Sequence, residues 1–128
     1  MTVFLDTDVA IEILRSRNPI ISSKWFELAA AGAVVFYSPV VAAEVWAGAL
    51  PHEHRLISIF FRPLVCIPAD YEIGEFAGEL LRKFAKSHGL EIPDALIAAT
   101  AILYKAALWT RNRKHYPMPS LVFFDGRI

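Results

Sequence analysis

Three carboxylates stand alone in the most apolar parts of the chain, and together they could do chemistry. Asp6, with Asp8 beside it, ends the run Val3-Phe4-Leu5 and is followed by Val9-Ala10-Ile11. Glu44 is the only charged side chain between Leu28 and Pro51, and Asp94 the only one between Ile92 and Tyr104. Moving a carboxylate into apolar surroundings is costly unless a cation or several hydrogen-bond donors meet it. If Asp6, Glu44 and Asp94 converge, their repulsion raises at least one pKa. A divalent cation reverses that logic by favouring the ionised forms. A ligand set made only of hard oxygens suits Mg²⁺ or Mn²⁺. Such a site can activate water and stabilise the attacking and leaving oxygens of a phosphodiester. The pattern predicts a metal-dependent phosphodiesterase core.

Each acid also has a plainer reading. Asp6 or Asp8 could cap the helix that begins near Val9, a common role for aspartate. Asp94 follows Pro93 at a helix start, where an acid suits the dipole. Glu44 has the weakest alternative: it lies mid-helix with Val40 and Gly48 at helical distance, and neither can pair with it. Histidine offers no competing site. His52 and His54 are two apart, His88 and His115 are single, and zinc motifs need clustered ligands.

The elements that must position these acids alternate along the chain. Residues 2–5 form a short strand without polar alternation, as expected of one buried on both faces. Helices follow over 8–15 and 20–31, and a strand over 33–37. Ser38-Pro39 places a capping hydroxyl before a proline at the first helical position, starting a helix to about residue 50. Residues 51–61 are helical and 64–67 a strand. The longest helix spans 69–87, with Ile73, Phe76, Ala77, Leu80, Leu81 and Phe84 on one stripe and His88-Gly89 as its end. A helix over 93–106, a strand over 107–110 and a last strand over 121–124 complete the chain. Strands alternating with helices predict a parallel sheet covered on both faces, with ligands bound beyond the carboxyl ends of the strands. Asp6 and the residues after Thr110 sit at such ends.

Composition bounds the rest. A chain of 128 residues is one domain. A hydrophobic content of 55% with only 20% charged residues predicts exposed apolar area, and so self-association or a protein partner. Thirteen basic and thirteen acidic residues cancel, so nucleic acid must be met by local patches. The single Cys66 rules out an internal disulfide and a multi-cysteine metal site, and it suits a reducing cytoplasm. The start Val3-Phe4-Leu5-Asp6 has no basic n-region or cleavage site. The apolar stretch 28–50 is broken by Gly32, Ser38, Pro39 and Glu44 into pieces too short to span a membrane.

Four segments in order carry a family resemblance: Phe4-Leu5-Asp6-Thr7-Asp8-Val9-Ala10-Ile11, then Ala43-Glu44-Val45-Trp46-Ala47-Gly48. Next comes Ile92-Pro93-Asp94-Ala95-Leu96-Ile97-Ala98-Ala99-Thr100-Ala101, and finally Trp109-Thr110-Arg111-Asn112-Arg113-Lys114-His115-Tyr116. The chain resembles PIN-domain ribonucleases, specifically VapC-type toxins of toxin–antitoxin pairs, as one PIN domain over 1–128. The resemblance implies an α/β fold, a three-layer α/β/α sandwich with a parallel sheet of about five strands. It also implies an Mg²⁺- or Mn²⁺-dependent endoribonuclease acting on an RNA substrate, dimeric, and inhibited by a cognate antitoxin whose tail blocks the acidic pocket. By position, Asp6, Glu44 and Asp94 are its metal-binding acids, and Thr7 and Thr110 orient water or phosphate. Asn112 stands where the family often has a fourth acid, and Asp8 where asparagine or serine is more usual, so Asp8 is a candidate replacement for the missing charge. Arg111 and Arg113, with Lys114 and His115, predict a cleft edge that meets phosphates, extended by Arg15 and Arg17; a solvated charge run is the plainer reading. Two rivals remain. A haloacid-dehalogenase-like phosphatase also opens on Asp-x-Asp, but that family prefers glycine then threonine or valine where this chain has Val9-Ala10, and it needs a later lysine and a paired acidic motif where Asp94 stands alone. A catalytically weakened PIN-fold module binding antitoxin or RNA draws on Asn112 and the neutral charge balance.

Overall fold

In the computed structural model, which describes residues 2–126, the chain begins with the strand on which everything else is built. β1 (Thr2–Leu5) buries Val3, Phe4 and Leu5 completely. It leads into α1 (Thr7–Arg15) and α2 (Pro19–Ala30), then β2 (Val34–Tyr37) and α3 (Pro39–Ala47). A 3-10 turn at Pro51–Glu53 runs into α4 (His54–Phe61), β3 (Val65–Cys66) and the long α5 (Tyr71–His88). α6 (Ile92–Leu103) and β4 (Ala107–Trp109) follow, and a 3-10 turn at Arg113–His115 comes after them.

The strands form one parallel sheet in the order β3-β2-β1-β4. Side chains alternate across it, as the two-residue period of a strand requires. Val3 and Leu5 pack on Val9, Ile13, Ile21 and Leu28 of α1 and α2, with Trp109 of β4. Phe4 and Leu108 face the other way, into a larger core with residues of α3 to α6. This is the three-layer α/β/α arrangement expected from the sequence.

Local signals place the helix starts. The Asn18 carboxamide oxygen accepts from the backbone N–H of Ile20 and Ile21, Ser38 Oγ accepts from Val40, and Asp70 accepts from Ile73. Pro19, Pro39 and Pro93 sit in first turns, where no intrahelical partner is lost. Gly89 ends α5 in the left-handed region at φ 66°.

Several expected boundaries shift. Among the described residues the sheet has four strands rather than about five, because the segment 121–124 contributes a single bridge between Phe123 and Leu108. On one side of that bridge Leu121 spends its N–H on the Met118 carbonyl, and on the other Gly126 turns the chain at φ 87°. α3 stops at Ala47 instead of about 50, and α6 stops at Leu103 instead of 106. Lys105 takes a left-handed conformation at φ 53°, a local choice that an alanine-rich apolar run does not announce.

Exposed apolar area is present as the composition predicts. Ile20, Phe26, Leu50, Leu56, Ile59, Ile92 and Val122 all stand substantially in solvent. Among the described residues no helix is long and apolar enough to cross a membrane.

Candidate active site

The strand order changes direction at β1: the chain goes from β1 to β2 to β3 on one side and returns with β4 on the other. A crevice opens beyond the carboxyl ends of strands at such a switch point. Asp6 sits there, its N–H still donating to the Trp109 carbonyl of β4 at 3.0 Å. A cleft of about 230 Å³ is lined by Asp6, Thr7, Asp8, Ile11, Glu44, Asp94, Asn112 and His115. The three acids singled out from sequence therefore share one cavity, although they come from the end of β1, from α3 and from the first turn of α6.

Their burial differs from the expectation of acids sunk in a core. Asp6 is buried at 7% exposure, Asp94 is half-buried, and Glu44 is exposed. The apolar stretches that carry these acids bury their other faces and turn the carboxylates toward the cleft. Glu44 shows this well, since Val41 and Val45 on α3 are buried while Glu44 faces outward.

Each carboxylate is held by a different set of donors. Asp6 is the N-cap of α1, and its Oδ1 accepts from the backbone N–H of Thr7 at 2.8 Å. Its Oδ2 accepts from the Thr110 hydroxyl at 2.7 Å and from the Tyr116 hydroxyl at 2.9 Å. Glu44 Oε1 accepts from the Thr7 hydroxyl at 2.6 Å. Asp8 Oδ2 accepts from the Arg111 backbone N–H at 3.1 Å and from the Asn112 side-chain amide at 3.3 Å. The other Asp8 oxygen, Oδ1, is buried without a partner.

Crowding of like charges leaves its mark. Burial first, and the Asp6 carboxylate second, raise the Asp8 pKa from 3.8 to about 6, against the pull of the Arg111 and Val9 N–H groups. Asp94 is also raised, by burial and then by Asp6, with His115 opposing and Glu44 and Glu91 adding. Burial, reinforced by Asp6, pushes the Tyr116 hydroxyl up, so it remains a donor.

The donor set fits a hard divalent cation: four carboxylates, two threonine hydroxyls and one amide, with an orphaned buried oxygen on Asp8. Among the described residues no three acidic, histidine or cysteine side chains are already drawn into ligating positions. A cleft whose acids line its walls suits an ion such as Mg²⁺, which keeps several waters and takes few carboxylates directly.

Of the basic residues expected at the cleft edge, His115 lines the cleft, while the guanidinium groups of Arg111 and Arg113 are engaged by other partners. Arg111 pairs with Glu12 at 3.2 Å, and Glu12 also holds Arg17 at 3.3 Å. Arg113 donates to the Phe124 carbonyl at 3.2 Å and lies over the Phe123 ring. Only Asn112 and His115 of that loop line the cleft. The hydrogen bond from Tyr116 to Asp6 and the ion pairs of Glu12 carry no signal in the sequence. Tyr116 lies 110 residues from Asp6, and Glu12 is one acid on an ordinary amphipathic helix.

Residues 3–119 match the family model described as PIN domain. The chain is 35% identical over 115 residues to "Ribonuclease VapC19" of Mycobacterium tuberculosis, covering 89% of this chain and 91% of that one. It is 31% identical over 117 residues to "Ribonuclease VapC10" of the same organism, covering 91% and 86%. Among solved structures, VapBC2 from Rickettsia felis, bound to a promoter DNA fragment, superposes with a TM-score of 0.80 at 26% identity, covering 97% and 98% of the two chains. A toxin–antitoxin complex from Klebsiella pneumoniae gives 0.76 at 27% identity, covering 94% and 95%. These likenesses leave no room for the phosphatase alternative: with its acids in one switch-point cleft and a match to the family model along nearly its whole length, the chain belongs to the PIN-domain family, in its VapC branch.

Proposed function

We propose that this chain is an Mg²⁺- or Mn²⁺-dependent endoribonuclease, the toxin of a toxin–antitoxin pair, held inactive by a cognate antitoxin. The observation that carries the reading is the convergence of Asp6, Asp8, Glu44 and Asp94 on one open cleft at the sheet's switch point. The names of the VapC relatives and the complexes among the structural neighbours point the same way. Asp6, Glu44 and Asp94 would hold the ion, and Asp8 would supply the charge that Asn112 lacks. When bound, the ion supplies water activation and charge stabilisation of the scissile phosphodiester.

The chain's own residues set the stage for that chemistry. Thr7 fixes Glu44 by a charge-assisted hydrogen bond, so an exposed glutamate keeps one orientation. Asn112, neutral and exposed at the cleft, can donate to a phosphate oxygen with the part of its amide that does not face Asp8. His115 lines the same cleft as Asp94 and opposes the rise of its pKa. The exposed apolar residues fit a protein partner or a second copy of the chain, and an exposed, unpaired Cys66 fits the cytoplasm.

Cleavage of RNA in Mn²⁺ by the wild-type chain, beside Asp94→Asn, tests the proposal. Loss of cleavage by about 100-fold or more is expected, as for removal of a group the reaction cannot replace. Cleavage that survives the substitution would move the activity to another site or to a contaminant. A second reading, a binding module with weakened catalysis, rests on Asn112 standing where the resemblance places a fourth acid. It predicts RNA binding without turnover in the same assay.

A further inference from the structure

Tyr116 lies outside the cleft lining, yet it is 3% exposed and its hydroxyl reaches a carboxylate of the site. A carboxylate oxygen offers two lone-pair positions. At Asp6 Oδ2 one is taken by Thr110 and the other by Tyr116, at 2.7 and 2.9 Å. At Oδ1 the Thr7 N–H takes one and leaves one. We propose that Tyr116 is a positioning residue: with Thr110 it saturates Oδ2, so that Asp6 meets a bound divalent ion through Oδ1 alone and in one fixed orientation. This inference rests on the metal-dependent reading above.

The surroundings of the ring favour such a role over simple filling. Tyr116 packs in the larger core, with Phe123 edge-on at 6.5 Å between centroids, so the ring cannot swing away from Asp6. It also ends the 3-10 turn that carries His115, with its own N–H on the Arg113 carbonyl at 3.0 Å. The same hydroxyl therefore ties the loop bearing Asn112 and His115 to the acid at the end of β1. A phenylalanine would fill the core equally well and could do neither.

Direct titration of the metal-free chain with Mn²⁺, followed by electron paramagnetic resonance of the free ion, tests this without any turnover. Tyr116→Phe keeps the ring and removes the donor. Loss of an outer partner of a metal ligand costs about 10–100-fold in metal affinity, so the Mn²⁺ Kd is expected to rise at least tenfold. Thr110→Val should do the same, whereas Thr110→Ser, which restores the hydroxyl, should bind like the wild type. If Tyr116→Phe is too unstable to titrate, the two Thr110 variants decide whether Oδ2 must be saturated. A Kd within threefold of wild type for a folded Tyr116→Phe overturns the inference. A wild-type chain that binds no Mn²⁺, or binds it no better than Asp94→Asn, overturns the metal reading itself, whereas tight wild-type binding weakened by Asp94→Asn but not by Tyr116→Phe overturns this inference alone.

Discussion

Asp8 shows how one side chain registers the charge of the whole site. Its pKa lies near 6 instead of 3.8, because burial and Asp6 both disfavour its ionised form. Between roughly these two values the folded chain holds a proton that the unfolded chain has released. Stability therefore falls as pH rises through that window, and the full penalty is felt above about pH 6. Asn at this position keeps an acceptor for the Arg111 N–H and removes the charge. In chelator, Asp8→Asn is thus expected to melt higher than wild type at about pH 7.5, with the gap closing below about pH 4. Because the carboxyl is only partly buried, a gap of about 2–4 °C is the scale to expect. Saturating Mn²⁺ should shrink or reverse the gap, since the ion favours the ionised form. Scanning calorimetry across pH measures this directly, and a gap that does not change with pH would show that the Asp8 charge is not strained.

Elements act here through how they are tied to one another. The loop after β4 is held to α1 at two levels: Asp8 accepts from the Arg111 backbone, and Glu12, one turn further along, pairs with the Arg111 guanidinium. Glu12 is 13% exposed at its side chain and shares its Oε1 between Arg111 and Arg17. Pairs of this kind contribute little to global stability, about 0–1 kcal/mol. Their effect is local, so Glu12→Ala should leave the melting temperature nearly unchanged while speeding amide exchange at residues 111, 112, 115 and 116 severalfold. Unaltered exchange there, by mass spectrometry or NMR, would mean that Asp8 alone holds the loop. This link also marks the limit of what the sequence discloses. The strand at 2–5, the Ser38-Pro39 and Gly89 punctuation and the α5 stripe are local signals, and each lies where expected within a few residues. The acids were legible because their neighbours are apolar. Their partners were not, since Thr7 and Glu44 are 37 residues apart, Thr110 and Asp6 are 104 apart, and Tyr116 and Asp6 are 110 apart. Nor could the side of the helix facing the cleft be read, which is why Glu44 was expected buried and stands in solvent.

At the scale of the molecule, charge decides how RNA, the proposed substrate, can be met. Thirteen acids balance thirteen bases, so no long-range positive field draws a polyanion in. The cleft itself carries four carboxylates, and two of the nearby guanidinium groups are engaged with Glu12 and the Phe124 carbonyl. Phosphates approaching this cleft meet repulsion until something neutralises it, and exposed Lys114 and His115 are too few to do so. A divalent ion would change the sign of the local field while leaving the rest of the surface neutral. RNA binding is therefore expected to depend on the ion more than on ionic strength. A non-cleavable RNA analogue should bind at least tenfold more tightly in Mg²⁺ than in chelator at the same ionic strength. The slope of log affinity against log salt should correspond to only about one to three phosphate contacts, given about 0.7 per contact for single strands. Fluorescence anisotropy over a salt series gives both numbers. Equal binding in chelator, or a steep slope, would place the RNA on a basic surface away from the acids.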